Sequence, residues 1–304
     1  MATEGSRLAV IAAFLANLAI AVAKFVAAAL TGSAAMLSES YHSLADTGNQ
    51  GMLLFGMRQA RKPADADHPF GRGKESYFWS FMVAVMLFAG GAVLAVRHGL
   101  DALAESHDVE NLTPSFVVLG ASILIEAVSF AVAFRQFNKT RGGRSMWRAI
   151  RSGKDSSIIV VLLEDTAALA GLVVALVGIT LVALTDRTVF DGVASLVIGV
   201  ILGLVAWLLA VETKALLIGE AANRADRVAI RSRLLAMPGV ESVGKLLTMQ
   251  MGPHDVLVNV EVDLVDGMTD AVVGATIDRA EKEIQAVLPG ATNIFVEFRG
   301  SQRS

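Results

Sequence analysis

Residues 38–50 read Ser38-Glu39-Ser40-Tyr41-His42-Ser43-Leu44-Ala45-Asp46-Thr47-Gly48-Asn49-Gln50, inside an otherwise apolar segment. At about 100° per residue, side chains four apart differ by only about 40° around a helix axis. His42 and Asp46 therefore share a face, with Glu39 and Asn49 flanking it. Ionisable groups are expensive inside a bilayer unless they meet a partner or water, so an intramembrane polar face marks an ion or proton pathway. The rest of the chain has to supply the partner.

The 304 residues are 54% hydrophobic and only 18% charged, which is too apolar for an ordinary soluble domain. The length suits a membrane bundle followed by a small soluble module. A formal net charge of −3 speaks against a nucleic-acid partner, which calls for a basic excess. With no cysteine, any metal must be held by His, Asp, Glu, Asn or backbone oxygen. The first apolar run lacks a basic leader and a cleavage signal, so it is expected to be a retained span.

Apolar runs at about 8–30, 34–57, 77–96, 116–134, 158–184 and 190–211 predict six transmembrane helices. Asn17 and Lys24 share a face of the first. Between the second and third lies a charged loop containing Asp65-Ala66-Asp67-His68-Pro69-Phe70-Gly71-Arg72-Gly73-Lys74. The fifth run passes straight through Glu164-Asp165. Lys and Arg gather in the connectors after the second span (Arg58, Arg61, Lys62, Arg72, Lys74) and after the fourth (Arg135, Lys139, Arg141, Arg144, Arg148, Arg151, Lys154). By the positive-inside rule these loops and both termini are cytoplasmic.

Beyond about Lys214 continuous apolarity gives way to alternation. Helix is expected over 226–237, strand over 240–251, a strand with one buried face through Val256, Val258, Val260, Val262 and Leu264, a helix capped by Thr269, and a last strand over 293–298. The domain division is thus 1–213, a six-helix transmembrane domain, and 214–304, an α+β, ferredoxin-like αββαβ cytoplasmic domain.

An imidazole with carboxylates suits Zn²⁺ or another first-row divalent ion, and His42 and Asp46 at i and i+4 need only one or two further ligands from a facing helix. Asp165 is the natural third. Glu164 points about 100° away from it, which favours a supporting or proton-carrying role. Ligands must lose their protons before they bind a cation, so such a site couples metal to protons. Glu126, near the middle of the fourth span with Ser129 close by, is either a proton relay or the partner of Lys24.

The His42–Gln50 run, the Asp65–Gly73 loop, Glu164-Asp165 and the exit Leu217-Ile218-Gly219-Glu220-Ala221, taken in order, resemble the cation diffusion facilitator family over nearly the whole chain. Within it they most resemble the branch that includes a mitochondrial zinc transporter. The resemblance implies a homodimeric, proton-coupled exporter of divalent metal, Zn²⁺ first, from the cytoplasm, with a metallochaperone-like dimerisation module. The metal is cargo, and no permanently bound cofactor is expected. The membrane is taken to be the plasma membrane of a bacterium. Zinc exporters of the family often carry His-x-x-x-Asp on the fifth span, whereas Val161 stands four before Asp165 here. Glu164, Asn49 or water would then complete the shell, leaving Mn²⁺, Fe²⁺ or Co²⁺ open. Asp65 and His68 match a secondary metal position of the family, but Arg72 stands where a second His can occur, which favours a structural or lipid-facing loop. His254 is the single histidine of the tail, so the family's two-metal site there is not expected.

Two other functions fit paired intramembrane carboxylates. Asp46 and Asp165 could serve an intramembrane aspartyl protease by sharing a proton. The absence of a Gly-x-Gly-Asp sequence and the presence of His42 favour metal handling, so the chain is not expected to be an enzyme. The second is a non-transporting metal sensor or scaffold.

Overall fold

A computed structural model describes residues 2–31, 34–104 and 113–299 of the chain; the side chains of Lys24, Glu39 and His42 lie outside the described residues. The chain forms two compact units, one of residues 1–58 and 76–214, the other of residues 59–75 and 215–304.

The first unit is helical: α1 (Ala2–Thr31), α2 (Ala34–Ala60), α3 (Glu75–Met86), a π-helical stretch (Leu87–Ala92), α4 (Val93–Ala104), α5 (Thr113–Arg141), α6 (Met146–Ser152), α7 (Ser156–Thr185) and α8 (Val189–Ile218). Four helices are long and apolar enough to cross a membrane among the described residues: Glu75–Ala104, Ser115–Arg141, Ser156–Thr185 and Val189–Ile218. Among the described residues of α1 the apolar stretch runs over Arg7–Ala23. The polar side chains of residues 38–50 dilute α2, which is nonetheless continuous helix through them. The connector after the fourth expected span, read as a basic loop, is largely helical. Its Lys and Arg are good helix formers, so α5 continues to Arg141 and α6 follows. Between them Gly142 and Gly143 take φ of 59° and 77°, backbone that glycine adopts without strain.

Small residues let these helices approach closely, the usual means of packing in a bilayer, where apolar burial gives little drive. A Cβ on Gly99 of α4 would lie 2.9 Å from the Gly192 carbonyl oxygen of α8, and one on Gly192 would lie 3.0 Å from that of Gly99. Asp186, with φ of 54°, ends α7 by donating its N–H to the Val182 carbonyl at 2.8 Å.

In the second unit α9 (Arg224–Leu235), β1 (Val240–Gly252), β2 (Asp255–Leu264), α10 (Asp270–Val287) and β3 (Ala291–Arg299) follow in the expected αββαβ order. The sheet order is β1-β2-β3, with β1 antiparallel and β3 parallel to β2. Val256, Val258, Val260, Val262 and Leu264 are all buried and share a core with Ile230 and Leu234 of α9 and Ala280 and Ile284 of α10. Gly244 sits where the β1–β2 register shifts between Val243 and Leu246. Arg231 donates to the Val243 and Gly244 carbonyls there, both at 2.6 Å. Thr269 is the N-cap of α10, but its side chain makes no cap hydrogen bond; its carbonyl accepts from Val272 and Val273 instead.

The loop of residues 59–75 belongs to this second unit. Gly73 lies against the β1–β2 turn, where a Cβ would come within 2.6 Å of the Met251 carbonyl oxygen and 2.8 Å of Gly252 Cα. The chain therefore passes between the units three times, at 58/59, 75/76 and 214/215.

Candidate cation site

The first ten residues of α7 are almost wholly buried, unlike its lipid-suited remainder. A run this apolar would satisfy any helix–helix interface; its polar members decide which. Ser156 pairs with Ser80 of α3 at 2.9 Å, and Ser157 with Ser76 at 3.3 Å. Tyr77 donates its hydroxyl to the Lys154 carbonyl at 3.1 Å. These contacts pin α3 to the start of α7.

Two turns further on stand Glu164 and Asp165, 6% and 1% exposed. Adjacent residues on a helix point about 100° apart, so each finds its own neighbours. Glu164 faces α2: Asn49 Nδ2 donates to its Oε1 at 3.0 Å and Gln50 Nε2 to its Oε2 at 3.1 Å. Asp165 faces α5: Ser129 Oγ donates to its Oδ2 at 2.9 Å. Its Oδ1 is buried and accepts from no amide or hydroxyl among the described residues, while the Glu126 carboxyl is close enough to share a hydrogen bond with Asp165.

Glu126, 5% exposed and one turn before Ser129, lies within electrostatic reach of both carboxylates on α7. Asp46, half-buried and one turn before Gln50, is close enough to act on Glu164. The sequence-derived residues Asp46, Asn49, Glu126, Glu164 and Asp165 thus form one neighbourhood spread over α2, α5 and α7. Two members were missed: Gln50, whose signal was its place one turn after Asp46, and Ser129, noted only for its nearness to Glu126. His42 and Lys24 lie outside the described residues as side chains, although their backbones are helical. Among the described residues no three His, Asp or Glu side chains converge as a metal-binding group. What is assembled is a set of buried acids held by amide and hydroxyl donors.

Asp65 and His68 do come together, in the exposed loop. Asp65 Oδ1 accepts from the backbone N–H groups of Asp67 at 3.1 Å and His68 at 2.7 Å and lies 3.1 Å from His68 Nδ1. Arg72 Nη2 donates to Oδ2 at 2.8 Å. The Arg72 hydrogen bond is the main reason the Asp65 carboxyl is held down from 3.8 to about 2. This carboxylate is engaged in stapling its own loop.

Residues 10–218 match the family model described as the cation efflux transmembrane domain. Metal tolerance protein C4 of Arabidopsis thaliana is 28% identical over 97% of this chain and 74% of its own length. The mitochondrial proton-coupled zinc antiporter of Homo sapiens is 33% identical over 79% of this chain, and its counterpart in Xenopus laevis is 34% identical over the same share. The chain spans about 43% of the length of each of these two antiporters.

Proposed function

The chain belongs to the cation efflux family, a family of transporters and not of enzymes, and on that premise we propose that it is a proton-coupled antiporter whose cargo is Zn²⁺. The observation that supports this is the set of buried Glu126, Glu164 and Asp165 with half-buried Asp46 among apolar helices, where carboxylates serve ions or protons. His42, Asp46 and Asp165 are the proposed ligands, with Asn49 and Glu164 beside them; Mn²⁺, Fe²⁺ and Co²⁺ are the alternative cargoes. Cation arriving from one side displaces protons from these groups, and protons from the other side compete it off, an exchange between two access states. The names of the human and frog relatives support both zinc and protons.

Six spans, with both termini on the cytoplasmic side, are proposed from the helices and the basic connectors. The chain is an integral, multi-pass membrane protein; a bacterial plasma membrane is proposed for it, with a mitochondrial membrane as the alternative. The region from about residue 214 is the proposed dimerisation module of a homodimer.

Metal uptake into proteoliposomes, compared across Zn²⁺, Mn²⁺, Fe²⁺ and Co²⁺ with and without an imposed pH gradient and with voltage clamped, tests the reading. Uptake that ignores both the gradient and internal buffering would overturn antiport in favour of a uniporter or channel.

A further inference from the structure

Gln50 stands one turn beyond Asp46 on α2 and shares its face. It is 0% exposed, rare for a glutamine unless both ends of its amide are used. Only one is used by hydrogen bonds here. Nε2 donates to Glu164 Oε2, while Oε1 has no hydrogen-bond partner among the described residues. Asp165, the residue next to Glu164, shares a hydrogen bond with the Glu126 carboxyl, whereas Gln50 Oε1 has no such neighbour of its own among the described residues. A buried amide oxygen with no donor is costly and calls for a reason.

A divalent cation supplies it. Two carboxylates, Asp46 and Asp165, already balance its charge, so a further anionic ligand would leave net negative charge among apolar helices. A neutral amide oxygen completes coordination without that cost, and such oxygens are ordinary ligands of hard cations. Glu164 is less suited, since both of its oxygens already accept from amides.

Resting on the cation-carrier reading above, we propose that Gln50 Oε1 is a ligand of the transported divalent cation, working with Asp165 while Gln50 Nε2 keeps Glu164 turned aside. Gln50 is then a determinant of metal specificity. Its hard oxygen favours Mn²⁺ relative to Zn²⁺, against the softer preference that the His42 imidazole brings.

The test uses the full chain in detergent, with Zn²⁺ and Mn²⁺ affinities measured by equilibrium dialysis and flux measured separately in proteoliposomes. Gln50→Glu keeps a side-chain oxygen and loses the N–H donor; Gln50→Met loses both. The expected result is that Gln50→Met weakens Mn²⁺ binding by about tenfold or more and Zn²⁺ binding less, while Gln50→Glu, whose added charge weakens binding of both ions alike, shifts the Zn²⁺-to-Mn²⁺ affinity ratio toward Mn²⁺. If both variants lose affinity with that ratio unchanged, Gln50 acts only through Glu164 and the ligand assignment is overturned. Unchanged affinity in Gln50→Met overturns it as well. Should Gln50→Met not fold, the ratio in Gln50→Glu decides alone, since a ratio equal to the parent's contradicts a retained oxygen ligand. A parent protein that binds metal without carrying it would sink the antiport reading, yet dialysis would still decide the role of Gln50. A parent that binds neither metal sinks both.

Discussion

Ser129 Oγ on α5 donates a hydrogen bond to Asp165 Oδ2 on α7 over 2.9 Å, joining residues 36 positions apart within the apolar bundle. The bond fixes which way the most buried carboxylate of the neighbourhood faces. Ser129→Ala should therefore lower the thermal stability of the purified protein by about 1 kcal/mol, the usual worth of such a bond. It should also weaken metal affinity by about tenfold, as loss of a ligand's supporting partner commonly does. Ser129→Thr keeps the hydroxyl and should restore affinity. Equilibrium dialysis on the two variants checks this, and equal losses in both would count against the role of the hydroxyl.

Asp46→Asn and Asp165→Asn preserve shape while removing charge. Each should abolish metal flux, because a dication among apolar helices needs both carboxylates. Helical circular dichroism should remain that of the parent. Substantial flux in either variant would show that the cation does not use that residue.

Gly73 touches the β1–β2 turn through backbone, with no room for a Cβ. Gly73→Val should lift the 59–75 loop off the turn and raise amide exchange in both segments. Gly274→Ala is the comparison: on α10 nothing lies within 4 Å of its would-be Cβ. It should stabilise the second unit by up to about 1 kcal/mol through helix propensity. Hydrogen exchange read by mass spectrometry separates the two outcomes; unchanged exchange in Gly73→Val would mean that the loop is not held there.

Asp65 links loop order to pH. Its carboxyl, held at about 2 chiefly by the hydrogen bond from Arg72, is more acidic than in the unfolded chain. A lowered folded-state value adds stability above the unfolded value, about pH 4, and that stability is lost as pH falls through the folded one. Exchange of the Asp67 and His68 amides, corrected for its intrinsic rate, should therefore rise between about pH 4 and about pH 2. Asp65→Asn should be loose across the whole range. Amides that stay equally protected in the parent throughout would show that the staple does not hold the loop.

The αββαβ order, the buried valines of β2 and the continuity of the apolar helices could all be read along the chain, because alternation with period two and long apolar runs are local signals. Asp46, Asn49, Glu126, Glu164 and Asp165 stood out for a similar reason: polar groups are conspicuous in apolar sequence. Helix continuing into the basic connector after the fourth span was not legible, since Lys and Arg suit both loops and helices. Only the tertiary structure decided that Asn49 and Gln50 hold Glu164 and that Ser129 holds Asp165. Those pairings depend on how α2, α5 and α7 are rotated against one another, and hydrophobic pattern leaves that rotation open. Only the packing, likewise, put residues 59–75 with the C-terminal unit: Gly73 permits that contact by lacking a Cβ, but its partner lies nearly 180 positions away at Met251 and Gly252.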